Sequence, residues 1–307
     1  VLLNNQEVLS VKNLRKSFDQ VIALDDFELN VKKGELFGIV GPDGAGKTTA
    51  IKIFSGVEKK DAGYVKILRY DIDFNRDLIN QEIGYLSQKF SLYGDLTVDE
   101  NLEFFAKIHG VKKYRERREE LLQFTKLTQF RNRLADKLSG GMRQKLALAA
   151  TLIHSPQIIF LDEPTNGVDP VSRRDFWGIL SALLKQGITI IISTPYLDET
   201  ERCTKVALVN KGKVLIQDTP SKIKEIIKEN VYEIICSPVR EIYMHLKNRY
   251  PEIEIQMFGD RLNLLTSIPF DEIVREIVSG DYKVIDSRKI LPSLENVFIH
   301  MLKEVYE

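Results

Sequence analysis

Gly41-Pro42-Asp43-Gly44-Ala45-Gly46-Lys47-Thr48 stands between an apolar run, Glu35-Leu36-Phe37-Gly38-Ile39-Val40, and a stretch expected to be helical from Lys47 to Gly56. The octapeptide fits the pattern G-x-x-x-x-G-K-[ST] and has the setting that pattern requires, a buried strand before it and a helix after it. Glycines let successive backbone N–H groups converge on phosphate oxygens, and the positive end of the helix dipole lies behind them. Lys47 can reach β- and γ-phosphates, and Thr48 can offer its hydroxyl to Mg²⁺. The bland alternative is a glycine-rich turn with an incidental lysine; the full-length match in its proper context speaks against it.

A phosphate loop of this kind needs an acid delivered by a second strand. Ile158-Ile159-Phe160-Leu161-Asp162-Glu163 supplies one. Asp162 is the candidate for the Mg²⁺ shell, and Glu163 is placed to orient or deprotonate an attacking water. Alone, an apolar run ending in Asp-Glu is an ordinary strand end; paired with the loop it gains meaning.

Outward from these motifs, apolar strands alternate with helices. Strands are expected at Val8 to Leu14, Val21 to Val31, Glu82 to Ser87, Gln157 to Leu161 and Ile188 to Ser193, with helices at Met142 to His154 and Val171 to Lys185. Such alternation predicts a parallel sheet covered on both faces. Thr97 and Glu100 have capping-box spacing and open a helix to Val111, and a charged helix follows from Lys113 to Lys126. The run Arg115-Glu116-Arg117-Arg118-Glu119-Glu120 reads as a solvated face with weak ion pairs. Thr97 to Asp136 is therefore an all-helical insert.

After Pro220 the texture changes. Strands are expected at Glu233 to Cys236, Glu254 to Phe258, Leu262 to Thr266 and Lys283 to Asp286, with helices at Val239 to Tyr250, Phe270 to Val278 and Ser293 to Lys303. The order β-α-β-β-α-β predicts a small split β-α-β domain. The expected division is 1–220, a linker at 221–230, and an α+β domain at 231–307.

The 307 residues suffice for two such cores. Lys plus Arg equals Asp plus Glu, 44 each, so net charge points to no nucleic-acid partner and no anionic surface. Cys203 and Cys236 form neither a metal pattern nor a disulfide framework. No apolar run approaches the roughly 20 residues that span a bilayer, and no secretion signal is expected at the N-terminus. The chain opens on Val1, as a processed or trimmed piece would.

Leu138-Ser139-Gly140-Gly141-Met142-Arg143-Gln144 lies just before the Asp-Glu strand and opens a helix. Alone it reads as a helix cap at Ser139. With the two motifs above, in this order, it resembles the signature segment of ABC transporter ATP-binding domains, and the resemblance runs from about Val8 to Gly212. It implies an α/β fold, a P-loop NTPase core of the ABC type with an antiparallel β subdomain and a helical subdomain. It also implies ATP and Mg²⁺ as ligands. The nucleotide would meet Phe18, the loop Gly41, Pro42, Asp43, Gly44, Ala45, Gly46, Lys47, Thr48 and Thr49, and, across a dimer, the signature Ser139, Gly140 and Gly141. Gln88 resembles the glutamine that senses Mg²⁺ and water and whose loop contacts the membrane subunit. By the same resemblance Glu163, Gln88 and Lys47 are catalytic, and Thr48, Gln88 and Asp162 hold the metal. Asn166-Gly167-Val168-Asp169 resembles the loop that crosses the dimer interface. Phe18 also reads as an ordinary edge-strand phenylalanine. Pro292-Ser293-Leu294-Glu295-Asn296-Val297-Phe298 resembles the tail of drug and polysaccharide efflux ATPases, and equally a capped amphipathic helix.

The family places a histidine near the γ-phosphate after the strand that follows Asp-Glu. Here Ile192-Ser193-Thr194-Pro195-Tyr196-Leu197-Asp198-Glu199 puts Pro195 at that position. Proline has neither a side-chain donor nor a backbone N–H. Asp43 stands where asparagine is common, and an unpaired carboxylate there would weaken phosphate binding. The resemblance thus implies an export ATPase, peripheral at the cytoplasmic face of the cell membrane. Its partners would be membrane-spanning subunits and a second ATP-binding domain, as homodimer, heterodimer or tandem, with this site the weakened one. The alternatives are a regulatory module that closes on ATP with little hydrolysis, and a soluble ABC protein unconnected with transport.

Overall fold

The computed structural model describes residues 7–89, 92–280 and 282–306, with side chains described as far as 303. The chain divides into two compact units, Val1–Asp218 and Thr219–Glu307. Among the described residues no helix is long and apolar enough to cross a membrane.

In chain order the first unit carries β1 (Glu7–Phe18), β2 (Val21–Lys32), β3 (Leu36–Val40), α1 (Lys47–Phe54), β4 (Ala62–Ile67), β5 (Tyr70–Asp71), α2 (Arg76–Glu82) and β6 (Ile83–Leu86). It continues with α3 (Val98–Ile108), α4 (Tyr114–Phe124), α5 (Gly140–Thr151), β7 (Ile158–Asp162), α6 (Pro170–Lys185), β8 (Thr189–Thr194), α7 (Leu197–Thr200), β9 (Lys205–Asn210) and β10 (Lys213–Asp218).

Two sheets share this unit. One is antiparallel, in the order β2-β1-β4-β5. The other runs β10-β9-β3-β8-β7-β6, parallel from β9 to β6 with β10 antiparallel at its edge. Strands β3, β7 and β8 are buried at every residue. Their apolar centres, residues 36–40, 158–161 and 190–192, are what a parallel sheet covered on both faces demands, and the polar residues fall at the strand ends. The sheets and α1 enclose one core in which Phe54 lies 6.5 Å from Phe27 and 6.1 Å from Phe160, ring centre to ring centre. This is the parallel, doubly covered α/β core that the alternation of strands and helices predicted, with strands β4, β5, β9 and β10 added.

The insert is helical. The N-cap of α3 is a full capping box: the Glu100 backbone N–H donates to Thr97 Oγ1 at 3.2 Å, and the Thr97 N–H donates to Glu100 Oε2 at 2.8 Å. The charged run is more organised than a solvated face. Arg118 is mostly buried, 3.4 Å from Asp99, and Arg131 bridges Asp99 at 2.8 Å and Glu119 at 2.7 Å. These pairs tie α3, α4 and the segment before α5 together, because both helices turn acids toward the same guanidinium groups.

The second unit contains α8 (Pro220–Lys224), β11 (Asn230–Ser237), α9 (Val239–Arg249), β12 (Glu254–Phe258), β13 (Arg261–Thr266), α10 (Phe270–Ser279), β14 (Lys283–Ile290) and α11 (Leu294–Tyr306). Its sheet, β12-β13-β11-β14, is antiparallel throughout, which is the split β-α-β arrangement. One face packs Ile234, Leu262 and Leu264 against Ile242 and Leu246 of α9 and Ile273 and Ile277 of α10. Part of the stretch expected as a linker, 221–230, is helical. Thr219 accepts a hydrogen bond from Lys222 N at 3.3 Å and Pro220 sits in the first turn, together a helix-start signal that opens α8.

Candidate functional site

The phosphate loop, Gln88, the Asp162-Glu163 pair and Pro195 follow the C-terminal ends of β3, β6, β7 and β8, the edge at which open α/β sheets hold ligands. The turn after β3 is dictated by its glycines. Gly46 has φ 101° and would bring a Cβ within 2.5 Å of the Ala23 carbonyl oxygen. A Cβ at Gly41 would collide with the Val209 carbonyl oxygen. Both positions therefore exclude any side chain, and the chain can make this turn only with glycine there.

Lys47 opens α1 and is buried, yet its ammonium is well provided with acceptors. It donates to Gly41 O at 2.8 Å and Pro42 O at 3.0 Å and lies 3.4 Å from Glu163 Oε1. Asp43 is exposed at the loop tip, 4.0 Å from the same ammonium, a loose pairing only. Thr48 donates its hydroxyl to Asp162 Oδ1 at 3.0 Å. Thr49 is half-buried in the first turn of α1, and Ala45 is buried while Pro42 and Gly44 are exposed.

Asp162 ends β7 and Glu163 follows it. Ser193, paired with Asp162 across the β7–β8 ladder, donates to Asp162 Oδ1 at 2.7 Å and accepts from the Glu163 backbone N–H at 3.0 Å. The other oxygen, Asp162 Oδ2, is buried without a hydrogen-bond partner. A buried carboxylate oxygen left unpaired is costly. Beside a threonine hydroxyl it is the donor set a hard divalent cation takes. Burial, with the charge of Asp162 added, pushes the Tyr85 phenol up to about 12, so it stays a neutral wall to this site.

Glu163 has φ 47°, outside the comfortable range of a side-chain-bearing residue. Its carboxylate is held from three sides: Gln88 Nε2 donates to Oε2 at 2.8 Å, Asn166 Nδ2 to the same oxygen at 3.3 Å, and Lys47 faces Oε1. Lys47, Thr48, Gln88, Asp162 and Glu163 thus meet in one place. Ser139, Gly140, Gly141 and Phe18 make no hydrogen bond to that group among the described residues. Ser139 caps α5, accepting from Met142 N at 3.4 Å, Gly140 is exposed, and Gly141 is buried where a Cβ would strike Ser172. Phe18 ends β1 half-exposed, with the Lys16 ammonium 4.9 Å from its ring centre.

Sequence reading missed Ser193, whose importance shows only in the ladder register, and the buried Glu199. Glu199 Oε2 accepts from both Thr165 Oγ1 and Thr194 Oγ1 at 2.9 Å, and its Oε1 faces Arg173 at 3.4 Å. This network fixes the backbone around Pro195, since Thr194 Oγ1 also accepts from Tyr196 N at 3.0 Å. Tyr196 lies under the Arg173 guanidinium, 4.9 Å from its ring centre.

The family described as ABC transporter matches residues 24–166. The probable multidrug ABC transporter ATP-binding protein YbhF of Escherichia coli is 39% identical over 222 residues, 71% of this chain and 38% of that protein. The chain thus spans well under half the length of that relative. Other relatives match along nearly their whole length. The daunorubicin resistance ATP-binding protein DrrA2 of Streptomyces coeruleorubidus is 32% identical over 303 residues, 94% of this chain and 92% of its own. The doxorubicin resistance ATP-binding protein DrrA of Mycobacterium tuberculosis is 30% identical over 319 residues, covering 99% and 96%. Among solved structures, a dimeric post-hydrolysis state of the ATP-binding cassette MJ0796 bound to ADP and Pi aligns with TM-score 0.63 and 28% identity, over 69% of this chain and 98% of that one. A nucleotide-free ATP-binding cassette from an ABC transporter aligns with TM-score 0.66 and 27% identity, over 73% and 96%.

Proposed function

This chain belongs to the ATP-binding proteins of ABC transporters, and on that premise we propose that it is the slow-turnover ATPase of an exporter whose membrane-spanning part is a separate subunit. Two of the relatives named above carry drug-resistance names, which makes a drug-like compound the cargo class we favour. The reading rests above all on one observation: Lys47, Gln88 and Glu163 converge at hydrogen-bonding distance beside the paired Thr48 and Asp162.

In this reading the bare loop from Gly41 to Gly46 cradles the phosphates with its N–H groups, and Lys47 brings its charge to the β- and γ-phosphates. Thr48, Asp162 and Gln88 would hold Mg²⁺, which neutralises phosphate charge when bound. Glu163 orients the attacking water and takes its proton. Gln88 and Asn166, both on Oε2, keep that carboxylate aimed, and Ser193 fixes the backbone behind it. Phe18 offers a half-exposed ring for adenine at the end of β1. Ser139, Gly140 and Gly141, which make no hydrogen bond to the chain's own cluster among the described residues, serve the nucleotide of a second ATP-binding domain packed head to tail. A groove of about 290 Å³ beside Gln88, lined among others by Ser87, Leu92, Phe105 and His109, is the face offered to the membrane subunit. The protein then works peripherally at the cytoplasmic face of the membrane.

Steady-state phosphate release with Mg-ATP tests the reading, with Glu163→Gln as the blank. A rate above the blank supports it. No rate above the blank with ATP still bound favours the second reading, a regulatory domain that closes on ATP and needs an active partner, for which Pro195 is the specific argument. Failure to bind ATP overturns both.

A further inference from the structure

The sheet of the second unit carries a row of polar residues that its packing does not require. Gln256 on β12, Asn263 on β13, Glu233 on β11 and Arg288 on β14 stand in register across all four strands. Adjacent residues Ile255, Leu262, Leu264 and Ile234 are in the core with α9 and α10, so the row occupies the opposite face. Gln256, Asn263 and Glu233 are only 2%, 6% and 7% exposed. Polar groups buried this deeply have to be bonded.

Two of the three are. Gln256 Nε2 donates to Asn296 O at 3.0 Å, and Asn296 Nδ2 donates to Gln256 Oε1 at 2.8 Å. Glu233 receives Arg261 Nη1 at 3.0 Å on one oxygen and Arg288 Nε at 2.9 Å on the other. Asn263 is the exception: its Oδ1 is buried with no hydrogen-bond partner. Its side chain lines a pocket of about 390 Å³, within the size range of small-molecule sites, together with Phe258, Asp260, Arg261, Ile290 and Glu295.

The lining selects the ligand. Both oxygens of Glu233 are committed to guanidinium groups, and among the described residues no cluster of three metal-ligating side chains exists. A metal ion is therefore a poor fit. An anion would meet the exposed carboxylates of Asp260 and Glu295, and Arg261 is already paired with Glu233 at 3.0 Å and near Asp260 at 3.6 Å. A cation that carries N–H donors and an apolar body meets the unpaired Asn263 oxygen, the two exposed carboxylates and the apolar wall, while the Arg261 charge is offset by Glu233 and Asp260. We propose that this pocket binds a small organic ammonium ion, its N–H on Asn263 Oδ1, its charge toward Asp260 and Glu295, and its apolar part against Phe258 and Ile290.

The test is a titration of the ¹⁵N-labelled full chain with phenethylammonium, run in parallel with neutral phenethyl alcohol and anionic phenylacetate. Phenethylammonium should give saturable shifts centred on Asn263 and Asp260, with affinity about tenfold above the alcohol, the worth of one charge-assisted hydrogen bond. Asn263→Leu removes the unpaired acceptor and should abolish the shifts in a chain whose spectrum is otherwise intact. If Asn263→Leu does not fold, Asp260→Asn with Glu295→Gln takes its place and should weaken phenethylammonium binding while leaving the alcohol unchanged. Three results overturn the proposal: no saturable shift at millimolar phenethylammonium, shifts unchanged in Asn263→Leu or an affinity unchanged in the double carboxylate variant, or phenylacetate binding as tightly as the ammonium.

Discussion

Replacing Pro195 by histidine should speed ATP hydrolysis by roughly 10²-fold, the low end of what one donor to a developing oxyanion is worth. The structure favours the low end over the high. Pro195 is half-exposed, and water weakens electrostatic contacts at such a position. It also favours a clean graft, because Thr194 is bonded both to Glu199 and to Tyr196 N, so the backbone is held on either side of the substitution. A 10²-fold change corresponds to about 2.7 kcal/mol of barrier. The assay is phosphate release at saturating Mg-ATP for the parent, Pro195→His and Pro195→Ala, each against its Glu163→Gln counterpart. The histidine variant should also gain a pH inflection near the imidazole range, about 6.5. An unchanged rate would refute the reasoning. So would an equal gain in Pro195→Ala, because the ring of proline rather than the missing donor would then be the obstacle.

Gly46→Ala combines a left-handed φ with a close approach to the Ala23 carbonyl; it should cost about 2 kcal/mol or more in urea unfolding and weaken ATP binding. Phe160→Ala removes a fully buried ring that packs against Phe54, and a loss of about 3–5 kcal/mol is expected in the same experiment, followed by Trp177 emission. Burial, with help from His109 and Arg117, pushes the His154 imidazole down to about 4 although Ile83 O accepts from its ring. The unfolded chain then binds the proton more readily, so stability should fall as pH drops from about 6.5 toward 4, and His154→Gln should lose less over that window. Burial above all, with Glu199 nearby, pushes the Cys203 thiol up to about 12, and it should resist a disulfide reagent at pH 8 until the chain is unfolded.

The parts of the fold that were legible are those whose cause is local. Continuous apolar runs marked β3, β7 and β8, and Thr97 with Glu100 marked the start of α3. The phosphate loop declared itself because its glycines are demanded by backbone geometry at fixed spacing. What stayed hidden depends on distant partners. Strand β4 is mostly exposed, with only Val65 and Ile67 buried, and it exists because β1 pairs with it from some fifty residues away. The β9–β10 hairpin turns at Lys211 and Gly212, both at positive φ, and lysine is a weak signal for such a turn. Ser193 and Asn263 are ordinary polar residues in strands until the ladder register puts one beside Asp162 and the other between Gln256 and Glu233. A charge run such as Arg115 to Glu120 likewise does not say which of its members will turn inward, as Arg118 does.

The left-handed backbone at Glu163 sets stability and activity against each other at a single residue. Glycine is the residue that conformation suits, and about 1–2 kcal/mol of backbone strain would be relieved if it stood there. Any selection for thermal robustness alone would therefore drift toward discarding the proposed catalytic carboxylate. A library of variants of this chain sorted only for heat resistance should accumulate glycine at position 163, and those survivors would be the sturdiest and the least active together.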